Sequence, residues 1–204
     1  MVTITAAIMI TTLSENGLSK NGLSNGGRWR LRMAAVSAIA LSLLLLALGL
    51  PRLAGGLMAL PGSATLWAMH EGEAVPPEAM ASAAEGLARS ARWSGNGLSD
   101  IESGYALMML GAYEESRAAT LRGLAAAPGN PNGWARLSWL RLKRGDRAGA
   151  ASALRLSLLS GAVTPDLMES RLQLGLQLFP SLDPDTTALL QRQFRLLSAL
   201  NARR

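Results

Sequence analysis

Cysteine is absent from this 204-residue chain, histidine occurs once, at His70, and lysine only at Lys20 and Lys143. Each scarcity closes a class of function. Without cysteine there are no disulfides, no thiolate nucleophile and no cysteine metal centre. With one histidine, a histidine-based metal site or a Ser-His-Asp triad would have to be assembled around a single side chain. That inventory points to a protein without catalytic residues, and neither a metal nor a cofactor is expected. Aromatic residues make up only 4% of the chain, so its tryptophans are weighed one by one rather than as a stripe.

Positive charge is plentiful, because arginine supplies it: the net charge is +6 and the pI about 10.9. Its distribution argues against nucleic acid. Between residues 63 and 130 four arginines face eight carboxylates, whereas residues 131–204 carry eleven basic side chains against five acidic ones. A domain acidic at one end and basic at the other wraps a polyanion poorly.

One long apolar run is present. Met33 to Leu50, MAAVSAIALSLLLLALGL, is 18 residues without a charged side chain. As helix it measures about 27 Å, close to the roughly 30 Å hydrocarbon core of a bilayer. It reads as a membrane span, with Pro51 kinking or ending the helix, Arg52 snorkelling to the interface, and Trp29 and Trp67 bracketing it as anchors. Lys20, Arg28, Arg30 and Arg32 precede the run, while only Arg52 follows it before Glu71 and Glu73. The positive-inside rule then places the N-terminus in the cytoplasm and the remainder in the periplasm, with the span in a bacterial inner membrane. A cleaved secretory signal ending near Gly62-Ser63-Ala64 is the competing reading, but the run exceeds the roughly 7–15 residues of a signal's apolar core. The expected organisation is a flexible segment over 1–30, a membrane helix and its exit over 31–60, and a helical domain over 61–204. Within the first segment, residues 1–13 are apolar but too short to span, and residues 14–27 repeat Asn-Gly-Leu-Ser as a turn-rich linker.

The domain sequence carries a period. Shifted by 34 residues, Gly111 falls on Gly145, Ser116 on Ala150, Gly104 on Ser138 and Tyr105 on Trp139. Trp134, Leu137 and Leu140 follow helical spacing, Gly145-Asp146 breaks the helix, and Ala148, Ala150, Ala151 and Ala153 make the next helix narrow enough for close approach. This pattern resembles the tetratricopeptide repeat, whose period is also 34. The better copy covers about 131–164, with Trp134, Leu137, Gly145, Ala150 and Leu154 at the repeat's marked positions, and an earlier copy covers about 97–130. The fold expected is therefore all-α: a single transmembrane helix followed by a tetratricopeptide-like stack of helical hairpins. Helices are expected near 78–92, 100–110, 113–127, 132–143, 147–159, 166–178 and 185–200. Ser99-Asp100-Ile101-Glu102 reads as a capping box opening the second of these, and Asp183-Pro184 as the start of the last. Degenerate capping helices occupy 165–204, their outer face solvated by Arg192, Arg195, Arg203 and Arg204.

Three strings, PGNPNGWARLSWLRLKRGD, ALRLSLLSG and RLQLGLQLFPSLDPDTTALLQRQFRLL, extend the likeness. Over roughly residues 51–201 the chain resembles membrane-anchored helical-repeat proteins of proteobacterial exopolysaccharide biosynthesis loci. That resemblance implies a non-enzymatic scaffold or assembly factor that recruits proteins which make or export surface polysaccharide. Two other readings stand beside it: a small accessory subunit of a respiratory or photosynthetic membrane complex, and a carbohydrate-binding module.

The candidate partner surface is the cluster Arg141, Lys143, Arg144 and Arg147 with Trp139. It suits a protein partner, an anionic glycan or a lipid headgroup, although cations at a helix C-terminus also satisfy the helix dipole. Gly104, Gly111, Trp134, Leu137, Gly145, Ala150 and Leu154 are assigned to the repeat framework. Trp93 is expected to pack at a helix end and Met108 and Met109 to fill the core. His70 is expected to do no more than hydrogen bond, and the adjacent Glu114 and Glu115 point apart and form no acid/base pair.

Overall fold

A computed structural model describes residues 25–95 and 97–202. Expectations for residues 1–24, Asn96, Arg203 and Arg204 lie outside the described residues. The chain divides into two compact units, Met1–Leu48 and Gly49–Arg204.

The first unit contributes the beginning of helix α1, which runs Asn25–His70. From Arg32 to Leu50 every side chain is exposed. Arg32–His70 holds an 18-residue window of mean hydropathy 2.5, none of it buried, so this helix is long and apolar enough to cross a membrane.

The second unit opens with the remainder of α1, and α1 does not stop at Pro51. It continues through Pro51 and Pro61 to His70. Proline inside a helix costs about 3 kcal/mol, and here the turns around Pro61 are held by packing. A Cβ on Gly55 would lie 2.7 Å from that of Ser94, and one on Gly62 would lie 2.7 Å from Leu87 Cγ. Leu66 and Met69 pack on Met80, Ala84 and Ala106. The C-terminal part of α1, which includes Trp67, thus packs with the helices that follow it.

The rest is helical, with no strand among the described residues: α2 Pro77–Ser94, α3 Gly97–Met109, α4 Tyr113–Ala126, α5 Pro131–Lys143, α6 Arg147–Ser160, α7 Pro165–Leu178, a 3-10 turn Phe179–Ser181, and α8 Pro184–Asn201. Every boundary of α3 and α4 recurs 34 residues later in α5 and α6. The turns match as well. Gly111 and Gly145 both adopt positive φ, 77° and 81°, a conformation that costs an L side chain and suits glycine. Asn130, Asp146 and Asp183 cap α5, α6 and α8 by accepting the backbone N–H of Gly133, Gly149 and Thr186. The capping box does not form as expected. Helix α3 begins at Gly97, because Gly97 and Gly123 meet backbone to backbone, and Ser99 is buried in the first turn with its hydroxyl 3.0 Å from that of Ser90.

Close approach recurs at each seam. Gly104 leaves room for α4, and Ser116 Oγ donates to its carbonyl at 2.6 Å. One period later the donor changes sides, and Ser138 Oγ donates to the carbonyl of Ala150 at 2.8 Å. Leu137, Ala150 and Leu154 are fully buried. Trp134 packs half-buried on Ile101, Leu124, Leu137 and Ala153, while its indole N–H reaches the Pro128 carbonyl at 2.7 Å. Met109 and Leu110, by contrast, are exposed, because the buried face of α3 is Ile101, Ser103, Gly104 and Ala106.

Gly104→Ala tests the seam by the sign of its effect. In an open helix that change stabilises by about 0.5–1 kcal/mol. Here the new methyl would lie 2.6 Å from Thr120 Oγ1 and 3.1 Å from the Ser116 carbonyl. The thermal midpoint should therefore fall, and Ala150→Leu should lower stability by about 1–3 kcal/mol through overpacking.

Candidate functional site

The proposed basic cluster gathers at the turn between α5 and α6, and each member has a contact inside the chain. Arg141 donates to the Gly149 carbonyl at 3.0 Å and lies 3.9 Å from Asp146. Arg144 pairs with Glu114 at 3.0 Å, one hairpin back, and Arg147 donates to the Gln177 carbonyl, one hairpin forward. The Lys143 ammonium sits 5.1 Å over the Trp139 ring, which meets Tyr113 edge to face at 5.4 Å. Lys143 therefore occupies one face of Trp139. Lys143 and Arg144 also line a depression of about 400 Å³ with Tyr113, Glu114, Glu115 and Arg117. Its charge is mixed, since Glu114 serves both Arg117 and Arg144.

Two arginines that sequence reasoning passed over are more deeply placed. Arg171 is fully buried. Its guanidinium donates to Ser157 Oγ at 2.9 Å, to the Ser157 carbonyl at 2.7 Å and to the Gly161 carbonyl at 2.8 Å. It thus closes the C-terminal end of α6, where carbonyls lack helical partners. Ser157 passes the connection on by donating to the Pro131 carbonyl at 2.7 Å, so one buried charge ties α5, α6 and α7. Burial brings its pKa down to about 10, which leaves it charged at neutral pH. Arg136 is similar: desolvation lowers it to about 10, opposed by Tyr105 and Glu102. It lies 5.0 Å over the Tyr105 ring and donates to the Ile101 carbonyl. The sequence signal for Arg171 was its register, because Met168, Arg171, Leu174 and Leu178 share the buried face of α7.

An apolar surface feature of the helical stack lies elsewhere. A groove of about 530 Å³ opens between α7 and α8. Leu176, Phe179 and Phe194 line it and are 77%, 65% and 61% exposed. Arg195 stands at its edge. The face expected to be solvated by Arg192 and Arg195 is therefore apolar in its middle. Within the stack the corresponding surface is covered, since Ala150, Leu154 and Leu158 of α6 are sealed by Leu174 and Leu178 of α7.

His70 ends α1 with its ring 5.9 Å from that of Trp67. Among the described residues, no three His, Asp or Glu side chains are grouped to hold a metal ion. The class defined by these features is an all-helical hairpin repeat whose N-terminal helix is apolar enough to cross a membrane. Comparison with known protein-family models and with curated proteins gives no match, and the surfaces themselves carry the functional argument.

Substitution separates the structural arginine from the surface ones. Arg171→Met should cost about 1–3 kcal/mol by stranding buried acceptors. Arg171→Lys should rescue little, because a point charge cannot serve three acceptors in a fork. Arg144→Ala, breaking an exposed pair, should cost under about 1 kcal/mol. Denaturant unfolding of the three variants provides the comparison.

Proposed function

We propose that this protein is a non-enzymatic scaffold, anchored in the bacterial inner membrane by α1, whose repeat domain recruits components of cell-surface polysaccharide synthesis or export. The groove between α7 and α8 carries this reading. A hairpin stack covers each outward face with the first helix of the next hairpin, because neither helix buries its apolar side alone. At α7 and α8 Leu176, Phe179 and Phe194 are exposed along the groove, whose apolarity suits one amphipathic helix of a partner protein, bound through apolar anchors at helical spacing. The sequence likeness to exopolysaccharide-locus proteins supplies the biological setting, and the scarcity of histidine and cysteine supports a role without chemistry. The cluster of Arg141, Lys143, Arg144 and Arg147 contributes a secondary, polar contact around the mixed-charge depression.

The arginines before the apolar run orient the domain to the periplasm. Alkaline phosphatase fused after Arg204 should be active, and a fusion active only as a cytoplasmic reporter would reverse the topology. For recruitment, the full chain is purified from membranes with its partners, and wild type is compared with Leu176→Glu and Phe194→Glu. Both side chains are exposed, so the melting temperature should hold while glycosyltransferase or exporter partners are lost. Recovery of electron-transfer subunits instead would favour an accessory-subunit role, and unchanged recovery from both variants would remove the groove from the interface.

A further inference from the structure

Within the second unit, the C-terminal part of α1 has two faces of different kinds. In a heptad a to g with Leu50 at a, Gly55, Gly62 and Met69 fall at f, and f is the side that meets the following helices. A Cβ on Gly55 would lie 2.7 Å from that of Ser94, one on Gly62 would lie 2.7 Å from Leu87 Cγ, and Met69 packs on Met80, Ala84 and Ala106. Positions a and d lie on the opposite side of the helix. They hold Leu50, Leu53, Leu57, Leu60, Ala64 and Trp67, alternately three and four residues apart. All six are exposed, the four leucines and the tryptophan by 57–65%.

Lipid does not account for the whole of this stripe. Ser63 Oγ donates to Glu102 Oε2 at 3.0 Å, and a carboxylate is costly in hydrocarbon, so the turns of α1 that hold Leu60, Ala64 and Trp67 lie outside it. A contiguous row of large apolar side chains in water marks an interaction surface. Charge narrows the occupant. From Gly49 to Met69 the single charged side chain is Arg52, at c, and the flanks of the stripe are short and uncharged: Gly49, Gly56 and Ser63 at g, Ala54, Pro61 and Ala68 at e. Nothing there repels an identical copy, and no charge selects a different partner. Gly56 is an independent sign. A Cβ on it would meet nothing within 4 Å among the described residues, and glycine inside a helix costs stability relative to alanine. Packing within one copy gives it no role, whereas two helix backbones approach closely only over small residues.

We infer that this stripe of α1 pairs in parallel with the same stripe of a second copy of this chain. Each a and d residue then meets its own counterpart about a two-fold axis. The narrow Ala64 layer stands next to the bulky Trp67 layer, and small and large layers in alternation interdigitate. Both copies enter the stripe at Gly49 from the same membrane, whatever the angle at which the domain leaves it, and that shared tether sets the parallel direction. It also raises the effective concentration of the two stripes, so a seam of modest length suffices. The direction rests on α1 being a membrane helix. The pairing needs neither a particular side of the membrane nor the groove between α7 and α8.

Cysteine is absent from the chain, so an introduced thiol reports on one position. Leu53→Cys, Leu57→Cys and Leu60→Cys on the stripe, and Met58→Cys, which is exposed but falls at b, are made in the full chain, reconstituted in lipid vesicles and oxidised with copper phenanthroline. Disulfide-linked dimer should form several-fold faster at 53, 57 and 60 than at 58. Gly56→Leu, which has room in a single copy, should slow linkage at 57 and 60 several-fold, and unchanged rates would overturn the close approach given to Gly56. Equal rates at all four positions would mean random collision and overturn the pairing. Linkage at one stripe position alone would mark an antiparallel crossing, and no linkage anywhere would leave the stripe to lipid or water; either overturns the proposal. In native membranes, an adduct of another mass in place of the dimer would assign the stripe to a different protein and overturn it too. Alkaline carbonate separates this from the membrane reading: chain retained in the vesicles without the linkage pattern removes the pairing alone, and chain released with the pattern intact removes the anchor alone.

Discussion

The structure depends on one recurring contact, a buried serine hydroxyl donating to a backbone carbonyl of the helix it faces. It joins α2 to α1 (Ser90 to Gly55), α3 to α2 (Ser103 to Ala84), α4 to α3 (Ser116 to Gly104), α5 to α6 (Ser138 to Ala150) and α6 to α5 (Ser157 to Pro131). A helical carbonyl keeps a second lone pair after its own helix is satisfied, but a short hydroxyl reaches it only where the backbones nearly touch. Small residues provide that approach, and the serine makes it specific, because a buried hydroxyl without a partner costs more than the bond itself contributes. Narrow seams explain why so small a chain stacks this many helices with few large side chains in its core.

The same contact holds the C-terminal part of α1 to α2. Ser90 grips α1 at Gly55, so the first hairpin borrows its first helix from the element that also holds the apolar run. No linker intervenes in the sequence between Leu50 and the domain. At the other end of the stack, Leu176, Phe179 and Phe194 stay exposed along the groove between α7 and α8.

Arginine is divided between two tasks that composition does not separate. Arg171 spends its charge on carbonyls at the end of α6 and Arg136 on the Ile101 carbonyl within α3. At the turns, Arg141 closes its own hairpin through Gly149, while Arg144 and Arg147 stitch that hairpin to its neighbours through Glu114 and Gln177. What remains for a partner there is a mixed-charge depression rather than a basic patch.

The sequence by itself determined the helices and their period. Glycine at 111 and 145, prolines at 77, 131, 165 and 184, and acidic or amide caps at 130, 146 and 183 are local signals, and local geometry obeys them to within a few residues. Trp134, Leu137, Ala150 and Leu154 declared themselves by spacing, since a core position recurs with the helix turn. Only the tertiary structure decided that Pro51 ends nothing, that Ser99 is buried rather than capping, that Met109 and Trp93 are exposed, and that Arg171 lies inside. Each of these depends on which neighbour arrives from outside the helix. Pro61 survives beside Gly62, which packs against Leu87, and an arginine is buried where another helix ends in front of it. Local pattern encodes which face of a helix is apolar, but what covers that face is set by helices packing from elsewhere in the chain.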